Sequence, residues 1–252
     1  MTGKRKKSPE SYRIRKYRKI PDPRGLQSFH VKVRETDLQI LAPLDVTNAA
    51  TNLVVECRTQ LENYLARCPS FIDTLSPLAD DPTGVPLVRE MLKAGQAAGV
   101  GPMAAVAGVI AEYVGRGLLQ REGCSEVVVE NGGDIFMARG QESSVAIYAG
   151  ESPLSYRIGL RIPVEDMPIG ICTSSGTVGH SLSLGQADSV TVVAPSTALA
   201  DAAATRLGNE VGSGGDFSSA LELAPRIGGL IGVVIVVGKK LGAWGKIELV
   251  KL

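Results

Sequence analysis

Two oxygen-bearing side chains, those of Asp201 and Thr205, lie four residues apart shortly after the apolar run of residues 190–194. In a helix, this spacing places both side chains on one face within the first turns. Hard oxygen ligands beside outward-pointing backbone amides suit a Mg²⁺ ion that carries a diphosphate. The helix dipole also favours an acid in a first turn, so the spacing alone leaves a purely structural role open.

Two further segments are candidates for ligand contact. The run Asn131-Gly132-Gly133-Asp134 predicts a hairpin turn with exposed backbone amides, which would suit a planar or phosphorylated ligand. The run Ser174-Ser175-Gly176, followed by His180, predicts an anion-binding loop in which His180 acts as an acid or base near neutral pH. Both runs are also typical of ordinary turns and Ser/Thr-rich loops, whose polar groups satisfy local backbone.

The composition excludes several classes of protein. The chain has 252 residues, of which 44% are hydrophobic and 21% charged, as in an ordinary globular protein. A net charge of +1 gives no overall attraction to nucleic acid or anionic lipid, so neither partner is expected. The longest apolar run, residues 230–237, is too short to cross a bilayer, and no secretory signal is evident. Four cysteines without C-x-x-C spacing favour reduced thiols and a cytoplasmic location.

Charge is concentrated at the N-terminus, where residues 1–20 contain nine Lys and Arg residues. We interpret this segment as a basic, solvated arm and residues 21–252 as a single domain. Two alternatives stay open for the arm: contact with nucleic acid or another phosphate-rich ligand, and an extended edge strand at residues 12–19.

Hydrophobic periodicity predicts hairpins and small-residue helices. Strands are predicted at residues 126–130, 135–138, 145–149, 156–162, 170–173 and 190–194, with hairpins at 29–41 and between 230–237 and 246–250. Helices are predicted from Asp45 or Thr47 to Pro69, and at residues 86–98, 102–120, 198–207 and 217–223. The predicted fold class is therefore α+β with mostly antiparallel sheets, and its exposed strand edges are compatible with a homodimer.

The order of these motifs resembles that of the ApbE-like family, whose characterised members are FAD:protein FMN transferases. That family has a small-residue helix, then N-x-G-G-D, a T-S-G loop, S-V-T-V-V-A and A-D-A-x-x-T. The same order occurs here at residues 101–108, 131–134, 174–176, 189–194 and 200–205. The segments V-G-P-M-A-A-V-A-G and E-N-G-G-D resemble a separate bacterial and archaeal branch of the family even more closely.

This resemblance implies an ApbE-like fold with antiparallel sheets and small-residue helices packed around a cleft. It implies Asp201 and Thr205 as Mg²⁺ ligands, FAD or another diphosphate nucleotide as the small-molecule partner, and transfer of FMN to a hydroxyl of an acceptor protein. The transferases have a Lys where Ala107 stands and a longer loop where residues 177–188 stand, with His180 the only candidate substitute. The alternative is therefore a flavin- or nucleotide-binding protein without catalysis.

Overall fold

The computed structural model describes residues 25–176, 185–212 and 214–252. The predicted basic arm, the strand at residues 12–19 and His180 lie outside these ranges. The strands are β1 (Gln27–Val33), β2 (Thr36–Ala42), β3 (Val127–Asn131), β4 (Asp134–Ala138), β5 (Ser143–Ala146), β6 (Ile158–Ile162), β7 (Ile169–Ser174), β8 (Ser189–Ala194), β9 (Gly232–Val237), β10 (Lys240–Gly245) and β11 (Glu248–Lys251). The helices are α1 (Thr47–Arg67), α2 (Ser70–Asp73), α3 (Pro86–Ala98), α4 (Val106–Leu119), α5 (Thr197–Asn209) and α6 (Ser218–Leu223).

Eight of the strands form one sheet, in the order β1-β2-β3-β4-β7-β8-β9-β10. Each neighbouring pair in this sheet is antiparallel. The remaining three strands form a second sheet, in the order β11-β6-β5, which is also antiparallel. The predicted α+β class and its antiparallel sheets are confirmed.

The large sheet is covered on both faces. Helices α1, α4 and α5 pack against one face, α3 packs on these helices, and together they enclose the main hydrophobic core. The three-stranded sheet covers the other face, where a second core forms around residues such as Leu160, Ile171 and Val234. Because both faces are covered, the central strands contain nearly continuous apolar runs, and β8 is buried along its whole length.

Helix α5 lies beside α4 and between α3 and the strands β7 and β8. Its alanines at 200, 202, 203 and 204 are at most 1% exposed, so protein surrounds most of the helix. A Cβ built on Gly108 of α4 would overlap Thr197 O, and one built on Gly170 of β7 would overlap Thr197 Cα. Glycine is therefore required on both sides of the first turn of α5, since its backbone touches theirs.

The predicted C-terminal hairpin is wrong in its second strand. Gly238, with φ of 58°, turns the chain immediately after β9, so β10 pairs with β9 in place of residues 246–250. Strand β11 leaves the large sheet and pairs with β6. The segment that forms β10 contains Gly242 and Gly245, whose low strand propensity hid it from the sequence pattern.

Other predicted boundaries differ by a few residues. The helix predicted at 102–120 begins as a 3-10 turn at Pro102–Ala105 before α4 starts.

By length and composition alone, Pro102–Leu119 is apolar enough to cross a membrane, with a mean hydropathy of 1.2. Half of this stretch is buried against the rest of the protein, an environment that the core helix of a folded domain also has.

All four cysteines are free thiols. Cys57 lies in the main core, as predicted, and burial raises its pKa to about 12. Burial also raises the pKa of Cys124 and of the fully buried Cys172. Cys68 is only half-buried.

We expect one thiol to react rapidly with Ellman's reagent at pH 8 in the native protein. The reactive thiol should be Cys68, because at a pKa of about 12 only about one Cys57 in ten thousand would be a thiolate at that pH. Unfolding in guanidinium should expose all four thiols. A Cys68→Ser variant that keeps a fast native-state phase would contradict this assignment.

Candidate functional site

The predicted hairpin turn at residues 131–134 is present and joins β3 to β4. Asn131 pairs with Asp134 across it, and Gly132 and Gly133 have left-handed φ angles of 74° and 116°. Glycine adopts such angles without steric cost, which explains the tight turn. The Gly133 amide donates to Glu130 Oε1 at 2.9 Å, so the expected exposure of the turn's amides does not extend to this residue.

Asn131 and Asp134 lie on the helix side of the sheet. Asn131 Nδ2 donates to the Ala107 carbonyl oxygen at 3.1 Å and so ties the turn to the start of α4. Asp134 pairs with Cys172 of β7. Directly paired residues of neighbouring strands point to the same face, so Asp134 and Cys172 both face the helices.

Asp201 lies on the first turns of α5, as predicted, and faces the same region. Its Oδ2 accepts a hydrogen bond from the Gly108 amide at 2.8 Å. Burial, and then the charge of Asp134, raise the pKa of the Asp201 carboxyl well above its usual range, while the amides of Gly108 and Ala107 oppose this shift. Part of the residue stays accessible to solvent. The structure therefore brings together two carboxyl groups that lie far apart in the sequence.

Cys172 links α5 to the sheet beside these acids. Its Sγ donates to the Thr197 carbonyl oxygen at 3.3 Å. Burial raises its pKa most, and the charges of Asp134 and Asp201 raise it further. The thiol is thus neutral and acts as a packing and hydrogen-bonding group between the strand and the helix.

Thr205 and Ser174 lie at the same height along their two elements, because α5 runs alongside β7. Near the beginning of α5, Asp201 lies close to Cys172. Near its end, a Cβ built on Gly185 would overlap Gly208 O, and Gly185 itself adjoins the Ser174-Ser175-Gly176 segment. Four helical residues advance about 6 Å and two strand residues about 6.6 Å. Thr205, four residues after Asp201, therefore reaches the level of Ser174, two residues after Cys172.

The Ser174-Ser175-Gly176 segment lies at the same edge of the sheet. The Gly176 amide donates to the Ala187 carbonyl oxygen at 3.0 Å, and a Cβ on Gly176 would overlap Gly185 O. Ser174 is 8% exposed, and its Oγ has no hydrogen-bond partner among the described residues. A buried hydroxyl without a partner is costly, so a ligand that supplied one would bind favourably.

Two amides at the start of α5 are not free to bind a diphosphate. The Leu199 amide donates to the capping Ser196 Oγ at 3.3 Å, and the Thr197 amide donates to Glu112 Oε2 at 2.8 Å. Because oxygens of the protein accept hydrogen bonds from these two amides, the expectation that the amides point outward to a ligand is wrong for Thr197 and Leu199.

The residues present fit a divalent cation in their chemistry. Asp201 and Thr205 supply hard oxygens, and a cation would offset the repulsion between Asp134 and Asp201. Within residues 25–176, 185–212 and 214–252, no group of three or more His, Cys, Asp or Glu side chains could hold a metal. Oxygens from a bound diphosphate or from the backbone would therefore have to complete the coordination shell.

Sequence reasoning missed Glu112 and Cys172 as parts of this site. Glu112 lies one turn after Gly108 on α4, and this four-residue spacing was the available signal. Cys172 was recognisable only as part of a strand. His180 lies within 177–184, outside the described residues, so its role stays a prediction.

The fold is that of the ApbE flavin transferases. The flavinyl transferase ApbE of Pseudomonas stutzeri, in its apo form, superposes with a TM-score of 0.55 at 15% identity, over 87% of this chain and 93% of that one. The flavin transferase ApbE of Vibrio cholerae gives 0.54 at 13% identity, over 87% and 97%. At these identities the likeness establishes the fold alone.

Sequence comparison establishes the family. A family model described as AbpE bacteria matches residues 18–225. A UPF0280 protein of Methanococcus maripaludis is 44% identical over 234 residues, which are 90% of this chain and 94% of that protein. Another, from Methanocaldococcus jannaschii, is 41% identical over 209 residues, 80% and 84% of the two chains. The chain therefore belongs to this ApbE-like family, as its motifs predicted.

The contact between α4 and α5 yields a stability prediction. In Gly108→Ala, the new methyl group would overlap Thr197 O and lie 2.9 Å from Asp201 Cβ, so we expect a loss of about 1–3 kcal/mol in the free energy of unfolding. Gly228→Ala is the matched control, because nothing lies within 4 Å of its added Cβ. Urea denaturation measures both. If the two variants had equal urea midpoints, the backbones of α4 and α5 would not be in contact at Gly108.

Proposed function

We propose that this protein binds a diphosphate nucleotide, with FAD as the best candidate, through a Mg²⁺ ion held by Asp201 and Thr205. The observation that carries the proposal is the pair of carboxyl groups, Asp134 and Asp201, at the same edge of the sheet as the Ser174 hydroxyl, which has no hydrogen-bond partner among the described residues. A buried acid with a strongly raised pKa, such as Asp201, close to an unsatisfied polar group is typical of sites that act on a ligand.

We call the group formed by residues 131–134, 174–176, Asp201 and Thr205 the metal corner, and each of its residues has a role in this proposal. Asp201 and Thr205 contribute oxygens to the cation, which would neutralise charge on the bridging phosphates. Ser174, Ser175 and Gly176 contact the ligand, and the Ser174 hydroxyl gains the partner that it lacks. Asp134, in the turn of residues 131–134, would add a second negative charge near the cation, since its charge acts on Asp201.

The reaction that we propose is transfer of FMN from FAD to an acceptor protein. The acceptor hydroxyl forms a bond to the FMN phosphorus, the bond from that phosphorus to the bridging oxygen breaks, AMP leaves, and the hydroxyl proton passes to a base or to solvent. The printed names of the P. stutzeri and V. cholerae proteins, flavinyl transferase and flavin transferase, support this class of reaction. His180 is our candidate for moving the proton.

A second candidate is flavin or nucleotide binding without turnover. It is favoured by Ala107, which stands where the flavin transferases resembled by the sequence have a Lys. Its side chain is a methyl group and its carbonyl is engaged by Asn131 Nδ2, so this position supplies neither a charge nor a proton.

FAD and MgCl₂ incubated with the pure protein should release AMP, measured by chromatography. Asp201→Asn should lower that release by about 100-fold or more, because the cation loses its charged ligand. The melting temperature of Asp201→Asn should stay the same or rise. The amide oxygen of the new side chain can still accept a hydrogen bond from Gly108, and the carboxyl group beside Asp134 is removed. Thr205→Val should lower the release by about tenfold.

The matched control is Asp216→Asn, an exposed acid whose Oδ1 accepts from the Ser218 amide at 2.9 Å and lies outside the proposed corner. It should leave AMP release unchanged. Wild-type turnover by Asp201→Asn would refute the metal assignment. FAD binding that requires Asp201 but yields no AMP would establish the second candidate.

A further inference from the structure

Glu112 of α4 makes a hydrogen bond to the beginning of α5. Its Oε2 accepts the Thr197 amide at 2.8 Å. Its Oε1 is 2.7 Å from Arg116 Nη2, one turn further along α4. The Glu112 side chain is only 17% exposed, whereas that of Arg116 is 53% exposed. The carboxylate therefore joins a surface cation to the buried start of the neighbouring helix.

This contact has a counterpart one turn away. Gly108 of α4 is hydrogen-bonded to Asp201 of α5, and Glu112 of α4 is hydrogen-bonded to Thr197 of α5. The two residues on each helix are four positions apart, and their order along α5 is the reverse of that along α4. Two contacts at this spacing hold antiparallel helices against both sliding and rotation. A shift of α5 along its axis would break both and carry the Asp201 carboxylate with it.

Glu112 also sets the electrostatics of α5. Its negative charge lies at the positive end of the helix dipole, the place where an anionic ligand would otherwise bind. The carboxylate thereby keeps this end of α5 occupied, so the phosphates of a ligand must approach the helix at its side.

We propose that Glu112 is a positioning residue that holds α5 in the register at which Asp201 reaches the cation. This inference rests on the proposed function, because it assigns Glu112 a purpose at the same metal corner. Residues that orient a metal ligand characteristically change metal affinity by 10–100-fold when they are removed. A residue that only stabilised the fold would lower the melting temperature and leave the affinity of the folded protein unchanged.

The test is Mn²⁺ affinity in the presence of saturating FAD, which supplies the diphosphate oxygens, measured by electron paramagnetic resonance below the melting temperature of each variant. We expect Glu112→Ala to weaken Mn²⁺ binding by about tenfold or more. Glu112→Gln keeps an oxygen for the Thr197 amide and should bind within about threefold of the wild type. Arg116→Ala is the matched control, because it removes the ion pair and leaves the Thr197 contact, so its affinity should stay at the wild-type value.

Hydrogen exchange of the amides in the first turn of α5 gives a second readout. Glu112→Ala should speed this exchange, and Glu112→Gln and Arg116→Ala should not. Wild-type Mn²⁺ affinity in folded Glu112→Ala would overturn the positioning role and leave the proposed function standing. If the wild-type protein binds no Mn²⁺ in the presence of FAD, the proposed function fails, and this inference fails with it.

Discussion

The close approach of α5 to both α4 and the sheet is the constraint on which the rest of the structure depends. Gly108 and Gly170 allow the backbone around Thr197 to touch both neighbours, and alanines fill most of the remaining surface of the helix. Because interiors pack as densely as crystals, a helix held at backbone distance has little freedom to shift. The side chains that α5 carries are therefore placed accurately with respect to the strands below it.

This packing brings acids together at an energetic cost. The Asp201 carboxyl is removed from water and lies near Asp134, and both effects disfavour its charged form. Hydrogen bonds from the amides of Gly108 and Ala107 offset part of that cost. Two acids placed this way do not by themselves stabilise a folded protein, because the charge of each disfavours the charge of the other.

The architecture separates the scaffold from the site. The ApbE fold is shared with proteins that are only 13–15% identical to this chain, so many sequences can build the two sheets and the helical layer. The groups to which we assign a function lie at one edge of the large sheet: the turn at residues 131–134, the end of β7 and the side of α5. The buried parts of these elements hold that edge in place.

The sequence by itself determined most of the elements and the family. Alternating and helical periodicity identified nearly all of the strands and the longer helices, and Asn131-Gly132-Gly133-Asp134 predicted a turn that the structure confirms. Glycine-rich β10 escaped detection because it carries little periodic signal, and the pairing of β11 with β6 was missed because strand partners are chosen by packing between distant segments.

Only the tertiary structure decided which groups meet. Local pattern identified Asp201 and Thr205 as a pair, but it could not show that Asp134 approaches Asp201 or that Glu112 holds the Thr197 amide. These contacts join residues from separate strands and helices, and each depends on how closely two backbones approach. A linear pattern records the periodicity of one element at a time, whereas the chemistry of this corner arises from the distances between several.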